Sequence, residues 1–296
     1  MSDLPDLYAF VLRLRPEPGG PPPDPRGHGA QALFLDVLRQ VDPALAGRLH
    51  ADAPSKPYTV AVLPRQGTGD RGQGAGVEGW RPGGADPRSQ IADPFSVELR
   101  VTFTRAELFP VVTRALLQQL PGAPLRLGRA SLALAEVFGT PGGHPWAGYG
   151  SFADLAAAAR PDGELTLQFA SAAAFGQGSR ADGRARLGLL PSPEAVFPSI
   201  ARRWNDLAPA ALQLDLAAVR AAAEDTLVSR YRLETVQISL GKGPQKGFVG
   251  LCAYELPPDP APRRTLTLLA DAVFYLGIGM KTARGMGLCR RMSDER

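Results

Sequence analysis

Apolar and polar residues alternate in several places along this chain and recur at helical spacing in others. Leu7 to Leu14 puts Tyr8, Phe10, Leu12 and Leu14 on one side, which predicts a strand. After the Pro/Gly stretch 16–27, Ala30, Leu33, Phe34, Val37, Leu38 and Val41 form a helical stripe. That helix is expected to start near His28. A short strand follows at Lys56–Val60. Phe95, Val97, Leu99, Val101 and Phe103 alternate with Ser96, Glu98, Arg100 and Thr102, the pattern of a half-buried strand. Thr104 and Glu107 have capping-box spacing for a helix running to about Gln119, with Pro110 kinking or delaying it. A strand at Leu125–Phe138 closes the first unit. Its order is strand, helix, strand, strand, helix, strand, the ferredoxin-like arrangement.

Thr140–Pro145 (Thr-Pro-Gly-Gly-His-Pro) reads as a linker. Beyond it the order repeats. A strand at Leu165–Phe169 is followed by a helix at Pro193–Leu207 and an extra helix near Asp215–Leu227. A strand then ends at Val236, Ile238 and Leu240, and Phe248–Glu255 pairs with it. A helix opened by Pro262 and a final strand at Leu288–Met292 complete the set. The expected fold class is α+β, with tandem ferredoxin-like domains at 1–140 and 141–296. The segment 64–94, rich in Gly and Arg, is expected to be a loop.

Composition narrows the function. With 296 residues and 44% hydrophobic content, the chain can bury one large or two ordinary cores. The formal charge of +4 suits RNA, and equally an ordinary intracellular enzyme. Lysine occurs only at 56, 242, 246 and 281, so arginine carries the excess. Arginine favours bidentate phosphate contacts. Cys252 and Cys289 have no metal-ligand spacing, and neither a leader pattern nor a membrane-length apolar run is present. A soluble, cytoplasmic protein that needs no metal or other cofactor is expected.

The densest chemistry lies in the tail, where Gly277, Gly279, Gly285 and Gly287 surround Lys281, Thr282 and Arg284. Glycine lets the backbone approach a phosphate, and the cations supply charge. The tail is not a nucleotide P-loop, because Met280 precedes Lys281 and the order is helix, loop, strand. The hairpin loop at 241–247 carries Lys242 and Lys246.

Together these segments resemble a known family. Gly27 to Leu35 with its Ala-Leu-Phe-Leu helix, Leu49-His50, Lys56-Pro-Tyr-Thr59, Phe197–Trp204, Gly247-Phe248 with Gly250, and Gly277-Ile-Gly-Met-Lys-Thr282 carry the likeness. It is to the CRISPR-associated RAMP endoribonucleases that cut precursor CRISPR RNA within its repeats. The resemblance implies metal-independent transesterification. A ribose 2′-oxygen attacks the adjacent phosphate, leaving a 2′,3′-cyclic phosphate and a 5′-hydroxyl. The implied partner is CRISPR repeat RNA, with a CRISPR effector complex and a homodimer left open.

Proton transfer needs a base, and the histidines are His28, His50 and His144. Relatives usually place the catalytic histidine where this chain has Gln31. His28, one turn earlier, is the expected substitute, on an exposed side of the helix shared with Gln31. By the same resemblance Lys281 and Arg284 contact phosphate, the tail glycines line the RNA path, and Lys242 and Lys246 sit against the repeat. Two rivals stay open. One is a weak or inactive protein that holds repeat RNA, and the other is a guide-RNA-coating subunit of an effector assembly.

Overall fold

The fold is that of a computed structural model. It describes residues 5–23, 29–51, 53, 55–64, 96–119, 124–179, 181–183, 185–240 and 243–292. The first unit contains β1 (Leu7–Pro16), α1 (Ala30–Arg39), α2 (Pro43–His50), β2 (Tyr58–Val62), β3 (Val97–Phe103), α3 (Leu108–Gln119), β4 (Leu125–Leu127) and β5 (Ala130–Phe138). Its sheet runs β2-β3-β1-β5-β4, and β6 (Gly148–Gly150) also pairs with β1. Antiparallel register sets Leu12 of β1 opposite Leu99 on one side and Val137 on the other.

The second unit contains α4 (Phe152–Ala158), β7 (Glu164–Ala173), β8 (Phe175–Ser179), β9 (Ala185–Gly188), α5 (Pro193–Leu207), α6 (Leu216–Glu224), β10 (Leu227–Ser239), β11 (Pro244–Glu255), α7 (Pro260–Leu276) and β12 (Cys289–Arg291). Its sheet runs β10-β11-β7-β12, and β8 and β9 form a separate hairpin. In both sheets the first strand is central: β1 lies between β3 and β5, and β7 between β11 and β12. The fold is therefore two tandem ferredoxin-like units, as the pattern predicts.

Several boundaries differ. The predicted first helix is α1, which begins at Ala30 behind Gly29, whose φ of +90° turns the chain; a second helix that the pattern does not predict, α2, follows, capped by Asp42 through the Leu45 amide. Among the described residues Thr104 caps no helix. Its hydroxyl and amide both donate to the Pro57 carbonyl, and α3 starts at Leu108, with Pro110 tolerated in its first turn. The single strand expected at 125–138 is a hairpin turning at Gly128 (φ +63°). The first sheet takes up Gly148–Gly150, past the boundary expected after 140.

The largest departure is in β3. Its alternation predicts one wet face, yet both are covered. Val97, Leu99, Val101 and Phe103 pack under α1 and α3. On the opposite face Arg100 and Thr102 are buried beneath α7 of the second unit. Arg100 Nε donates to the Trp146 carbonyl (2.8 Å), Arg100 Nη2 to the Phe274 carbonyl (2.7 Å) and Thr102 Oγ1 to the Tyr275 carbonyl (2.7 Å). Phe274 and Tyr275 lie in the last turn of α7, where carbonyls lack helical partners and a cation is favoured. Polar residues read as surface are thus the seam between the units.

Candidate RNA-processing site

The tail leaves α7 at Gly277 and folds back onto β7. Ile278 N donates to the Gly287 carbonyl (2.9 Å), Met280 N to Ala174 (3.0 Å) and Gly287 N to Ala172 (2.9 Å). Two glycines are required by space. A Cβ on Gly279 would stand 2.4 Å from the Ala174 oxygen, and one on Gly287 2.0 Å from the Ile278 oxygen; both have positive φ. Much of the glycine content therefore closes the turn on the protein. Gly277 N likewise donates to Val273, while Gly285 closes the turn in the left-handed region.

Closing the turn places its cations. Thr282–Arg284 forms one 3-10 turn that packs against β2 and α1 of the first unit. Ala283 enters the core of the first unit and Thr282 is buried. Lys281, at φ +58°, donates from Nζ to Gln245 Oε1 near the tip of the β10–β11 hairpin. Arg284 Nη2 donates to the Leu240 carbonyl (3.0 Å). Burial, and then the neighbouring Arg284, push the Lys281 ammonium below its usual range. Tail and hairpin thus form one basic edge beside α1. Lys246 is exposed on that hairpin, whereas Lys242 lies outside the described residues.

Gln31 sits in the first turn of α1. Its Nε2 donates to the Tyr58 hydroxyl (2.8 Å), which donates to the Leu49 carbonyl (3.3 Å). Gln31 is half-buried and turned toward β2, not on a wet helix face. His28 lies outside the described residues, and the helix expected to carry it starts two residues later, at Ala30.

The remaining candidates have structural contacts. Lys56 Nζ donates to the carbonyls of Leu49 (2.9 Å), His50 (3.1 Å) and Ala51 (2.6 Å), capping the C-terminal end of α2. His50 is exposed at that end. His144 accepts from the Trp146 amide at Nδ1 (3.1 Å), and its Nε2 faces Glu98 (3.3 Å), which also accepts from Arg13. Burial disfavours the Glu98 carboxylate, but His144 and Arg13 together outweigh it and hold the group below its usual range. His144 stands on the far side of the sheet from the glycine turn's contact with α1. Among the described residues no three His, Cys, Asp or Glu side chains cluster as metal ligands, and no helix is long and apolar enough to cross a membrane.

The Gln31–Tyr58 pair and the Lys281–Gln245 contact escape sequence reasoning, since each joins residues far apart in the chain. Tyr58 does fall within the Lys56–Thr59 motif, the one signal that pointed there.

Two ferredoxin-like units, with a basic glycine turn of the second seated on the first helix of the first, define a RAMP-type protein. The chain belongs to the Cas6 family. The model for the CRISPR Cas6 N-terminal domain matches residues 6–157, and that for CRISPR-associated endoribonuclease Cas6 matches 167–289. Among solved structures, a Cas6 (TTHB231) product complex is 32% identical, with a TM-score of 0.78 over 97% of this chain and 100% of that one. Thermus thermophilus Cas6 (TTHB231) is 28% identical, at TM-score 0.72 over 98% and 100%. A Cas6 (TTHA0078) product complex is 26% identical, at 0.70 over 97% and 99%. No curated protein sequence matches the chain.

Proposed function

We propose that the protein cuts CRISPR repeat RNA in a precursor transcript, by internal attack and without a metal. The observation that carries this reading is the seating of the Thr282–Arg284 turn, which carries the tail cations, on α1 and β2. A ribose 2′-oxygen attacks phosphorus, and the bond to the 5′-oxygen breaks. The 2′-OH proton passes to a base, and the departing 5′-oxygen takes up a proton. His28, two residues before α1, is the proposed base, because Gln31 cannot accept a proton at neutral pH and is held by Tyr58. Lys281 and Arg284 stabilise the crowded phosphate, with Lys242 and Lys246 on the RNA beyond. The turn glycines let the RNA backbone come close. The reaction takes place in the cytoplasm.

Cleavage of repeat RNA is expected to persist in EDTA and to stop with a 2′-deoxy sugar at the scissile nucleotide. His28→Ala is expected to slow single-turnover cleavage by ~10²-fold or more, with RNA affinity within a few-fold. A requirement for Mg²⁺, or a cut deoxy substrate, would overturn the mechanism. A full-speed His28→Ala enzyme would remove His28 from it. One observation favours a second reading: the hydrogen-bonded Gln31 occupies the usual place of a proton-transfer group. A protein that holds repeat RNA with little cutting would gain activity from Gln31→His, and comparing that variant with wild type separates the two.

A further inference from the structure

Beside the start of the glycine turn, at Gly279 and Met280, lies a cleft of about 560 Å³. Helix α5 builds most of one wall. Its apolar stripe, Val196, Phe197, Ile200 and Trp204, is fully buried. The opposite stripe, Ser199, Arg202, Arg203 and Asp206, therefore faces the cleft. Gln177 of β8 lies across from it. Gly279 and Met280, the residues just before Lys281, close one side, and Ser55 closes another.

Arg203 is the anomaly in this cleft. Its Nη2 reaches the Lys56 carbonyl at 3.4 Å, the outer limit of a hydrogen bond, and its Nε is buried with no acceptor. No carboxylate forms an ion pair with it among the described residues. Asp206 acts on it only at longer range, and its carboxylate accepts from Ser55 Oγ (2.6 Å). A guanidinium carries five donors and is normally matched by a carboxylate or phosphate when withdrawn from water. Burial pushes this one down to about 10, with Asp206 opposing. Helix propensity does not require an arginine here, and the apolar stripe does not use it.

The cleft has the volume of pockets that hold a compact ligand of roughly nucleotide size. Its polar lining is mixed, with donors at Arg202, Arg203 and Gln177 and acceptors at Glu194 and Asp206. Such a lining suits a base edge together with one phosphate better than a bare anion. RNA lying on Lys281 would meet this opening next, because Met280 is part of its rim.

We propose that the cleft receives one unpaired nucleotide of the RNA next to the cleavage site, its phosphate held by Arg203. The inference rests on the endoribonuclease reading above and adds to it a specific residue and a path for the RNA, from the glycine turn to α5.

The test uses the full chain and repeat RNAs in which one linkage at a time is a neutral methylphosphonate. Binding is measured across a salt series. One linkage in the unpaired flank is expected to weaken wild-type binding about tenfold when neutralised. Arg203→Gln is expected to weaken binding to unmodified RNA by a similar factor and to lower the salt slope by about 0.7. In that variant the same methylphosphonate is expected to cost nothing further. Ser199→Asp, which puts a negative charge in the cleft and leaves Arg203 in place, is expected to weaken binding too. It decides the matter if Arg203→Gln melts early.

Wild-type affinity in both variants would overturn the inference, as would penalties that simply multiply at every linkage. A melting-temperature rise with inorganic phosphate that Arg203→Gln abolishes, with RNA affinity untouched, would assign the cleft to a free anion and overturn it as well. Wild-type protein that does not bind repeat RNA would sink both readings. Protein that binds but does not cut sinks only the first, and the methylphosphonate scan still judges the second.

Discussion

Gly287→Ala and Gly142→Ala are the same chemical change at almost the same backbone angle. Gly287 has φ +70° and Gly142 φ +80°. An alanine held at such an angle costs about 1–2 kcal/mol at either site. The surroundings then separate them. A Cβ on Gly142 meets nothing within 4 Å, while one on Gly287 lies 2.0 Å from the Ile278 oxygen. That oxygen belongs to the backbone and cannot rotate away, so the turn must move by about 1.5 Å to reach ordinary van der Waals contact. Movement on that scale breaks the bonds from Ile278 N to the Gly287 carbonyl and from Gly287 N to Ala172. Each contributes about 0.5–1.5 kcal/mol net, so Gly287→Ala is expected to cost about 2–5 kcal/mol in all. At about 2 °C per kcal/mol for a chain of this size, Gly142→Ala is expected to lower Tm by about 2–4 °C and Gly287→Ala by about 4–10 °C. Thermal melts of the two purified variants beside wild type provide the assay. Single-turnover cleavage of repeat RNA at a temperature where both are folded should fall for Gly287→Ala alone, since its turn leaves α1. Equal Tm losses would refute the claim that this glycine is required by packing.

Two further expectations concern charges. Lys56→Met removes the ammonium from the three carbonyls at the end of α2 and is expected to cost about 1–3 kcal/mol in urea unfolding, with the cleavage rate at saturating RNA unchanged. Lost cleavage at full stability would instead make Lys56 an RNA contact. Glu98, held below its usual value of about 4.5, contributes stability that is fully present above that pH and is lost as pH falls through its lower folded-state value. Melting curves of wild type and Glu98→Gln should therefore differ at pH 7 and converge in acid, and a gap that persists at pH 3 would count against the ion-pair account.

Strands and helices whose residues repeat a local rule are legible in the sequence. The alternation from Val97 to Phe103 and the stripe from Ala30 to Leu38 fix elements, faces and unit order. Short or irregular pieces escape. Helix α2 has eight residues with Gly47 inside, too few to set a period. The β8–β9 hairpin is mostly exposed and glycine-rich, so nothing repeats in it. A turn at Gly128 hides within an otherwise continuous apolar run. Burial of Arg100 and Thr102 is invisible locally, because what covers them is α7, far along the chain.

The candidate site divides the same way. Glycine, lysine and arginine mark the tail as special. That the turn packs on α1, that Lys281 is held by Gln245, and that Lys56 caps a helix are consequences of tertiary placement. The helix start at Ala30 was hidden by Gly29, which looks like any loop glycine until its φ is known.

The Thr282–Arg284 turn also has a consequence for the order of events during synthesis. The first unit emerges from the ribosome well before the segment that inserts Ala283 into its core. A nascent chain that has made α1 and β2 but not the glycine turn has one face of its first unit uncovered and its tail cations missing. The core of the first unit is thus completed late in translation, when the two halves are joined through Ala283.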